Sequence, residues 1–209
     1  MKLQHDWMSS FERMHALYNY KKPDRVPINM IAPSFSCKNA GFPVKIIYNE
    51  PQNNFIAMQW TAEQYAWDQI PQIVRHTVVE VLDFGGTVRL PEGEYEGALV
   101  IQSFPVMSEG DVENLKMPDL KHNGMIDAAI ELGKLQKENS LPVTFVSRSP
   151  FTIASNICGL ERFCRWMVKK PELCIMLMKM AIDHTFNVLQ YWVDTFGLEN
   201  IFVFMSSPS

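Results

Sequence analysis

Short, continuous apolar runs alternate with longer helical segments in this chain, and that alternation constrains the fold more than any other feature. The runs are "RVPINMIA" (25–32), "DQIPQIV" (68–74), "LPVTFVS" (141–147) and "NIFVFM" (200–205). They lack the regular polar alternation of a strand with one face in water, so they are typical of parallel strands buried on both faces. The order of strand, helix, strand and helix therefore predicts an α/β fold in which helices cover a parallel sheet.

The N-terminal segment carries a clear helix-start signal. Ser9 and Glu12 form an S-x-x-E pattern, in which each side chain caps the backbone of the other residue. Phe11, Met14 and Tyr18 follow at helical spacing, which predicts a short amphipathic helix.

Further helices are predicted by apolar periodicity and by the placement of prolines. The segments are 53–67 with Asn53 or Asn54 as the cap, 123–140, "LERFCRWMVKK" (160–170) and 171–196. Pro171 suits the first turn of the last helix and Gly197 suits the position just after its end. His184 lies on the apolar stripe of that helix, which favours a buried core histidine. The stretch 37–51, "CKNAGFPVKIIYNEP", predicts a loop.

The segment 76–105 differs in residue pattern from the rest of the chain. Its β-branched and alternating residues are interrupted by Gly85, Gly86, Gly93 and Gly97. This pattern predicts a β-hairpin or a small β-excursion. We expect it to belong to one domain that spans residues 1–209.

Composition and charge limit the classes of partner. The 209 residues carry a formal net charge of −4 without runs of like charge, which argues against nucleic-acid and anionic-membrane partners. The apolar runs are far shorter than the ~20 residues of a membrane span, and the N-terminus lacks signal-peptide features. We therefore expect a cytoplasmic protein whose four cysteines are free thiols. They show neither C-x-x-C nor H-x-C spacing, so we expect no metal site.

The stretch "SRSPFTIASNICG" (147–159) is the strongest candidate for a site. Ser149 has the position of an N-cap, with Pro150 as the first helical residue. Arg148 ends the preceding strand, and Asn156 lies in the helix. Both can be purely structural, or both can face a bound anion or amide at the rim of the sheet.

Three other residues near the second predicted strand need an interpretation. Arg75 and His76 follow that strand and are the next candidates for substrate binding. A role in surface pairing is the alternative for both. Asp68, at the start of the strand, is interpreted as a local cap or local pairing partner.

The chain resembles the uroporphyrinogen decarboxylase superfamily. The similarity lies in "KKPDRVPI", in "SPFTIASNICGLERFCRWMVKKPEL" and in the long helix that leads to "NIFVFMSSPS". It covers essentially the whole chain and is densest over 141–175. That superfamily also contains the corrinoid-dependent methyltransferases, which move methyl groups between a corrinoid protein and coenzyme M or a tetrahydrofolate-type acceptor. The resemblance implies a TIM (β/α)8 barrel, of which this chain is the N-terminal portion.

The resemblance is nearest to the methyltransferase branch. Decarboxylases of the superfamily carry a double-arginine motif after the first strand to hold substrate carboxylates, whereas "NMIAPSFSCKNAG" here contains no arginine. The aligned position of their aspartate is Arg75, and that of their active-site tyrosine is Asn156. The resemblance therefore implies methyl transfer, with uroporphyrinogen decarboxylation in porphyrin biosynthesis as the alternative. A non-catalytic paralogue that binds a tetrapyrrole or another partner is the second alternative.

The resemblance also sets the cofactor expectations. The methyltransferases hold zinc with an H-x-C pair and a later cysteine on later strands, and this chain has no H-x-C. We therefore expect no cofactor in this portion, which alone would be inactive, and zinc plus a corrinoid protein in a full-length methyltransferase. Its substrate would be a small molecule or a tetrapyrrole. An H-x-C with a distant cysteine beyond residue 209 would favour the methyltransferase, and new arginines on later strands would favour the decarboxylase.

Overall fold

The computed structural model describes residues 6–68, 79–93, 96–120 and 124–206. Within these ranges the chain forms ten α-helices and four strands, with one 3-10 turn before the last strand. In chain order they are α1 (Ser10–Tyr18), α2 (Pro33–Asn39), α3 (Ile46–Asn49), α4 (Pro51–Tyr65), α5 (Val79–Asp83), β1 (Thr87–Arg89), β2 (Val100–Ser103), α6 (Glu109–Asn114), α7 (Gly124–Glu138), β3 (Val143–Arg148), α8 (Pro150–Cys158), α9 (Leu160–Lys169), α10 (Pro171–Phe196) and β4 (Ile201–Ser206).

The strands β3 and β4 pair in parallel, as the sequence predicts for these two segments. Their register runs without a shift from Val143 opposite Ile201 to Arg148 opposite Ser206. The connection between them consists of α8, α9 and α10, which is the helical crossover that a parallel pair requires. An α/β arrangement is therefore confirmed for the segment from β3 to β4.

The prediction of a strand at 25–32 is wrong. This segment forms no strand, although its backbone meets Asp68 closely at one point. The Asp68 amide donates to the Ile28 carbonyl at 2.7 Å, while the Ile28 amide donates to the Asp68 carboxylate at 2.9 Å. The Asp68 carboxylate thus accepts the hydrogen bond from the Ile28 amide that a backbone carbonyl would accept in a β-sheet. The remainder of the second predicted strand, from residue 69 to 74, lies outside the described residues.

Helix α1 has the predicted capping box. The Ser9 amide donates to Glu12 Oε2 at 2.8 Å, and the Glu12 amide donates to Ser9 Oγ at 3.2 Å. The buried side of the helix, however, is formed by Arg13 and Ala16. Phe11 is more than half exposed, so the apolar stripe does not face the core.

The loop prediction for 37–51 is correct for residues 40–45, but residues 37–39, 46–49 and 51 are helical. Pro33 opens α2 and Pro51 opens α4, where the fixed φ of proline suits the first turn. The N-cap of α4 is Glu50, not Asn53 or Asn54. The short helix α3 lies between α2 and α4 in the chain, and its two isoleucines pack in a buried cluster with Cys37.

The helix starts and stops after β3 agree with the sequence. Ser149 caps α8 by accepting a hydrogen bond from the Thr152 amide at 3.2 Å, and Pro150 is the first helical residue. Helix α10 begins at Pro171, and the residue after its end is Gly197, whose φ of +83° is in the region that favours glycine.

Helix α10 is central to the packing of this part of the chain. Its residues contribute to one buried cluster with α8 and α9, and to a second with α7 and β3. The closest approach occurs at Gly133 of α7, where an added Cβ would lie 2.6 Å from Phe196 Cζ. Only glycine allows α7 to lie this close to α10 without rearrangement.

The antiparallel pair of β1 and β2 lies within 76–105, the segment for which the sequence predicts a β-excursion. Arg89 donates to both carboxylate oxygens of Glu96 at 2.8 Å, which holds the turn region after β1. None of the described helices has the length and apolar character needed to cross a membrane.

Candidate functional site

Arg148 lies at the C-terminal end of β3, beside the last residue of β4. On this strand, Val143 and Phe145 belong to the core formed with α7 and α10, and the Phe145 ring lies 5.7 Å from the Trp192 ring. Side chains alternate along a strand, so Arg148 lies on the opposite face from Phe145. It is half-buried. The strand thus brings a guanidinium group to the rim of the sheet, on the face away from the covering helices.

Asn156 follows in α8 and is half-buried as well. It lies six residues after Pro150, which corresponds to about 9 Å along the helix axis at 1.5 Å per residue. The Ser149 hydroxyl between the two candidates is engaged with Thr152. A ligand that contacts both Arg148 and Asn156 must therefore span the first turns of α8. The joint site remains a prediction.

Arg75 and His76, the other candidate substrate-binding residues, lie outside the described residues. Their role in substrate binding therefore stays a prediction, with surface pairing as the alternative.

A buried ionic network occupies the opposite end of the described strands. Arg13 Nε lies 2.6 Å from Asp24 Oδ1, and Arg13 Nη1 lies 2.5 Å from Asp68 Oδ1. Arg25 Nη1 contacts Asp68 Oδ2 at 2.7 Å, and both arginines also contact Asp6. The side chains of Asp24 and Asp68 are fully buried. Buried charges need such partners, because desolvation without compensation would be costly.

The network changes the acid–base properties of its carboxyl groups. The hydrogen bond from Arg13 holds the pKa of Asp24 far below its usual range. Burial raises the pKa of Asp68, but hydrogen bonds from the Ile28 amide, Arg25 and Arg13 outweigh burial and keep it below its usual value. The hydrogen bond to Asp24 raises the pKa of Arg13 further. Arg13, Asp24 and Asp68 therefore stay charged at neutral pH and exchange no protons there.

Sequence reasoning missed this network. The interpretation of Asp68 as a local cap or pair is wrong, since its partners Arg13 and Arg25 are 55 and 43 residues away. One signal was available in the sequence. Arg13 lies on the side of α1 away from Phe11 and Tyr18, and the "PDR" segment offers both a carboxylate and a guanidinium group.

A cavity of about 320 Å³ lies at this same end. Pro142, just before β3, and Ile201, at the start of β4, form one wall, and Phe11 and Tyr18 of α1 form another. The Asp68 carboxylate in its lining is already bound by two arginines. In parallel α/β folds, ligands bind at the carboxyl ends of strands, so we place the candidate site at Arg148 and not at this cavity.

His184 is buried, as predicted, and it has a specific partner. Its Nε2 lies 2.8 Å from Asp83 Oδ2, and the Phe84 ring lies edge-on to the imidazole at 5.1 Å. The contact joins α10 to the end of α5. The pair therefore links these two helices through a buried polar contact.

The family assignment follows from a match that covers almost the entire chain. Residues 9–209 match the model of the family described as "Uroporphyrinogen decarboxylase (URO-D)". The chain belongs to the URO-D family. A search of curated proteins gave no match.

A solved structure shows that the URO-D chain shares its fold with a methyltransferase from Methanosarcina mazei. The two superpose with a TM-score of 0.76 at 17% sequence identity. The superposition covers 96% of this chain and 59% of the methyltransferase chain. The present chain thus spans 59% of the length of that structure.

The described part of this URO-D chain contains no group of three or more histidine, cysteine, aspartate or glutamate side chains placed to hold a metal ion. Burial raises the pKa of the Cys37 thiol to about 11 and that of the Cys158 thiol to about 12. A metal ligand or nucleophile needs a thiolate, and these thiols are protonated at neutral pH.

Proposed function

We propose that this chain is the N-terminal portion of a (β/α)8 barrel enzyme that transfers a methyl group between a methyl-corrinoid protein and a thiol or tetrahydrofolate-type acceptor. The observation that carries the proposal is the structural likeness to a methyltransferase over 96% of the chain. The parallel pair of β3 and β4 with its helical crossover agrees with a barrel wall.

Within this portion, Arg148 is the residue for which a binding role is best supported. It is a guanidinium group at the carboxyl edge of the sheet, half-shielded from solvent, where its attraction for an anion is stronger than in bulk water. We propose that it binds the anionic group of the small-molecule substrate. Asn156, Arg75 and His76 are proposed as additional polar contacts.

Zinc chemistry is not assigned to residues of this chain. A zinc ion held elsewhere in the complete enzyme would supply a lowered pKa for the acceptor thiol. The described cysteines do not fit this task because three of the four are buried. We propose that the zinc ligands lie in a further part of the enzyme. That part would correspond to the portion of the methyltransferase chain that this chain does not cover.

Uroporphyrinogen decarboxylation is the second candidate, and the family match is the observation that favours it. A substrate with many carboxylates needs several fixed guanidinium partners. From residue 29, within the first apolar run, to residue 41, the sequence contains no arginine. Arg13 and Arg25 are engaged with buried aspartates at the other end of the strands. This distribution of arginines favours methyl transfer.

Parallel product assays of the complete enzyme test the proposal. With methylcob(III)alamin, zinc and coenzyme M, we expect formation of the methylated thiol and of demethylated cobalamin. With uroporphyrinogen III, we expect no coproporphyrinogen III. Robust coproporphyrinogen production would show that the decarboxylase assignment is correct and that the methyltransferase assignment is wrong.

A further inference from the structure

The apolar stripe of α1 lines a cavity instead of packing into the core. Phe11 and Tyr18 are 53% and 52% exposed, and both form part of the wall of the cavity of about 320 Å³. Phe202 of β4 belongs to the same wall, and its ring lies 5.5 Å from the Tyr18 ring. Pockets for small molecules have volumes of this order and are lined mainly by apolar and aromatic side chains. The cavity, here called the aromatic chamber, therefore fits a planar aromatic ring, which stacks on such side chains.

A second recess of about 270 Å³ adjoins the aromatic chamber. The linings of the two spaces have four residues in common, namely Phe11, Pro142, Glu199 and Asn200. The second recess adds Lys137, at the end of α7, and the turn that follows this helix. We call the two spaces together the α1 pocket. It has an aromatic part and a polar part, which is the layout of a site for a ligand with one apolar and one polar end.

The polar part of the α1 pocket carries one exposed charge of each sign. Lys137 and Glu199 are both exposed, and neither makes an ion pair with another residue that the structure describes. The Asp68 carboxylate in the lining adds no free charge, because two arginines already bind it. A carboxylate is the natural partner of an ammonium group, and an ammonium group is the natural partner of a carboxylate. The charges are therefore complementary to a zwitterion.

We propose that the α1 pocket binds a free aromatic amino acid. The ring lies in the aromatic chamber, the α-ammonium group contacts Glu199 and the α-carboxylate contacts Lys137. Both side chains are long and exposed, so their charged ends can meet two groups on one α-carbon. Water competes for these exposed contacts, and we therefore expect a dissociation constant of about 1 mM.

The ligand of the α1 pocket is a different molecule from the substrate proposed for Arg148. Pro142 of the pocket precedes β3, whereas Arg148 is the last residue of this strand. Six residues of extended chain separate the two positions, which corresponds to about 20 Å at about 3.3 Å per residue. The proposal therefore does not depend on methyl transfer and is tested by binding alone.

Titrations with dissected probes test the proposal. Nuclear magnetic resonance of the isotope-labelled 209-residue chain should show saturable shifts with L-phenylalanine. Phenethylamine lacks the carboxylate, 3-phenylpropionate lacks the ammonium group and glycine lacks the ring. Each of these three probes should bind at least about fivefold more weakly than L-phenylalanine, because each loses one of the three contacts.

Charge variants assign each contact to a residue. Glu199→Gln should weaken L-phenylalanine binding about fivefold and leave 3-phenylpropionate unaffected, because that probe has no ammonium group. Lys137→Met should weaken L-phenylalanine binding by a similar factor and leave phenethylamine unaffected. Lys134→Met is the matched control, since it removes the same charge from an exposed position on α7 that does not line the pocket. All three substitutions are at exposed positions, and circular dichroism confirms that each variant is folded.

Three results would overturn the proposal. The first is a wild-type chain that shows no saturable binding of L-phenylalanine up to about 20 mM, well above the expected dissociation constant. The second is a probe without the ring, the ammonium group or the carboxylate that binds as tightly as L-phenylalanine. The third is a pair of charge variants that bind L-phenylalanine like the Lys134→Met control.

Discussion

Arg13 Nε lies 2.6 Å from Asp24 Oδ1, and this contact joins helix α1 to the segment that leads into residues 25–32. The same guanidinium group also contacts Asp68, so one side chain links three separate stretches of the chain. Arg13 is only 1% exposed. Its removal would leave carboxylates buried with fewer partners.

Substitution of Arg13 by Met should destabilise the chain by about 3 kcal/mol or more, the range found when one partner of a buried ion pair is removed. Urea unfolding followed by tryptophan fluorescence measures the free energy of unfolding. Arg89→Met is the matched control, because Arg89 pairs with Glu96 at the surface and should contribute little. An equal loss of unfolding free energy in the two variants would show that the buried network contributes no more than a surface ion pair.

The network should also govern stability in acid. The pKa of Asp24 is lowered in the folded chain, so its contribution is fully present above the ordinary aspartate value of 3.8. It is lost progressively as the pH falls below that value, because the unfolded chain then binds the proton first. We expect the difference in urea midpoint between wild type and Asp24→Asn to be constant from pH 7 to pH 5 and to narrow below pH 4. A difference that persists unchanged to pH 2 would be inconsistent with this linkage.

The contact between α7 and α10 should not tolerate a side chain at Gly133. An added Cβ would lie 2.6 Å from Phe196 Cζ and 3.2 Å from Val143 Cγ1. Gly133→Ala should therefore cost about 1–3 kcal/mol of unfolding free energy, as overpacking does, despite the better helix propensity of alanine. Gly110→Ala is the control, because its Cβ meets nothing closer than Ser108 Oγ at 3.9 Å. Thermal unfolding of both variants shows which effect is larger at position 133, the better helix propensity of alanine or the overpacking by its Cβ.

The cysteines should differ sharply in reactivity. Cys164 is exposed, whereas Cys37, Cys158 and Cys174 are buried, and burial raises the pKa of each buried thiol. At pH 8, a disulfide reagent such as 5,5′-dithiobis(2-nitrobenzoate) should label one thiol rapidly in the native chain and all four in denaturant. Cys164→Ser should abolish the rapid phase. Rapid labelling of a second thiol would show that the packing around α2, α8 or α10 is looser than described.

Local signals in the sequence were sufficient for the elements around the candidate site. The strand before Arg148, the Ser149 cap and the helix start at Pro171 each depend on residues close in sequence, and each is confirmed. The same holds for the Ser9 capping box. Such features follow from backbone hydrogen bonding and fixed proline geometry, which act over one helical turn.

Features that depend on distant residues could not be predicted in the same way. The segment 25–32, for which the sequence predicts a strand, instead has its Ile28 amide bound to the Asp68 carboxylate. The pairing of Asp68 with Arg13 spans 55 residues, and that of His184 with Asp83 spans 101. Periodicity identifies which face of an element is apolar, but it does not identify which distant charge neutralises a buried one.

The central claim is that the carboxyl edge of β3 binds the substrate through Arg148, and steady-state kinetics of the complete enzyme test it most directly. With coenzyme M as the anionic acceptor, Arg148→Ala should raise KM at least tenfold, a loss of about 1.4 kcal/mol in acceptor binding, while kcat changes little. Arg148→Lys, which keeps the charge, should recover part of the loss. A KM and a kcat for Arg148→Ala that both equal the wild-type values would contradict the account and return Arg148 to a purely structural role.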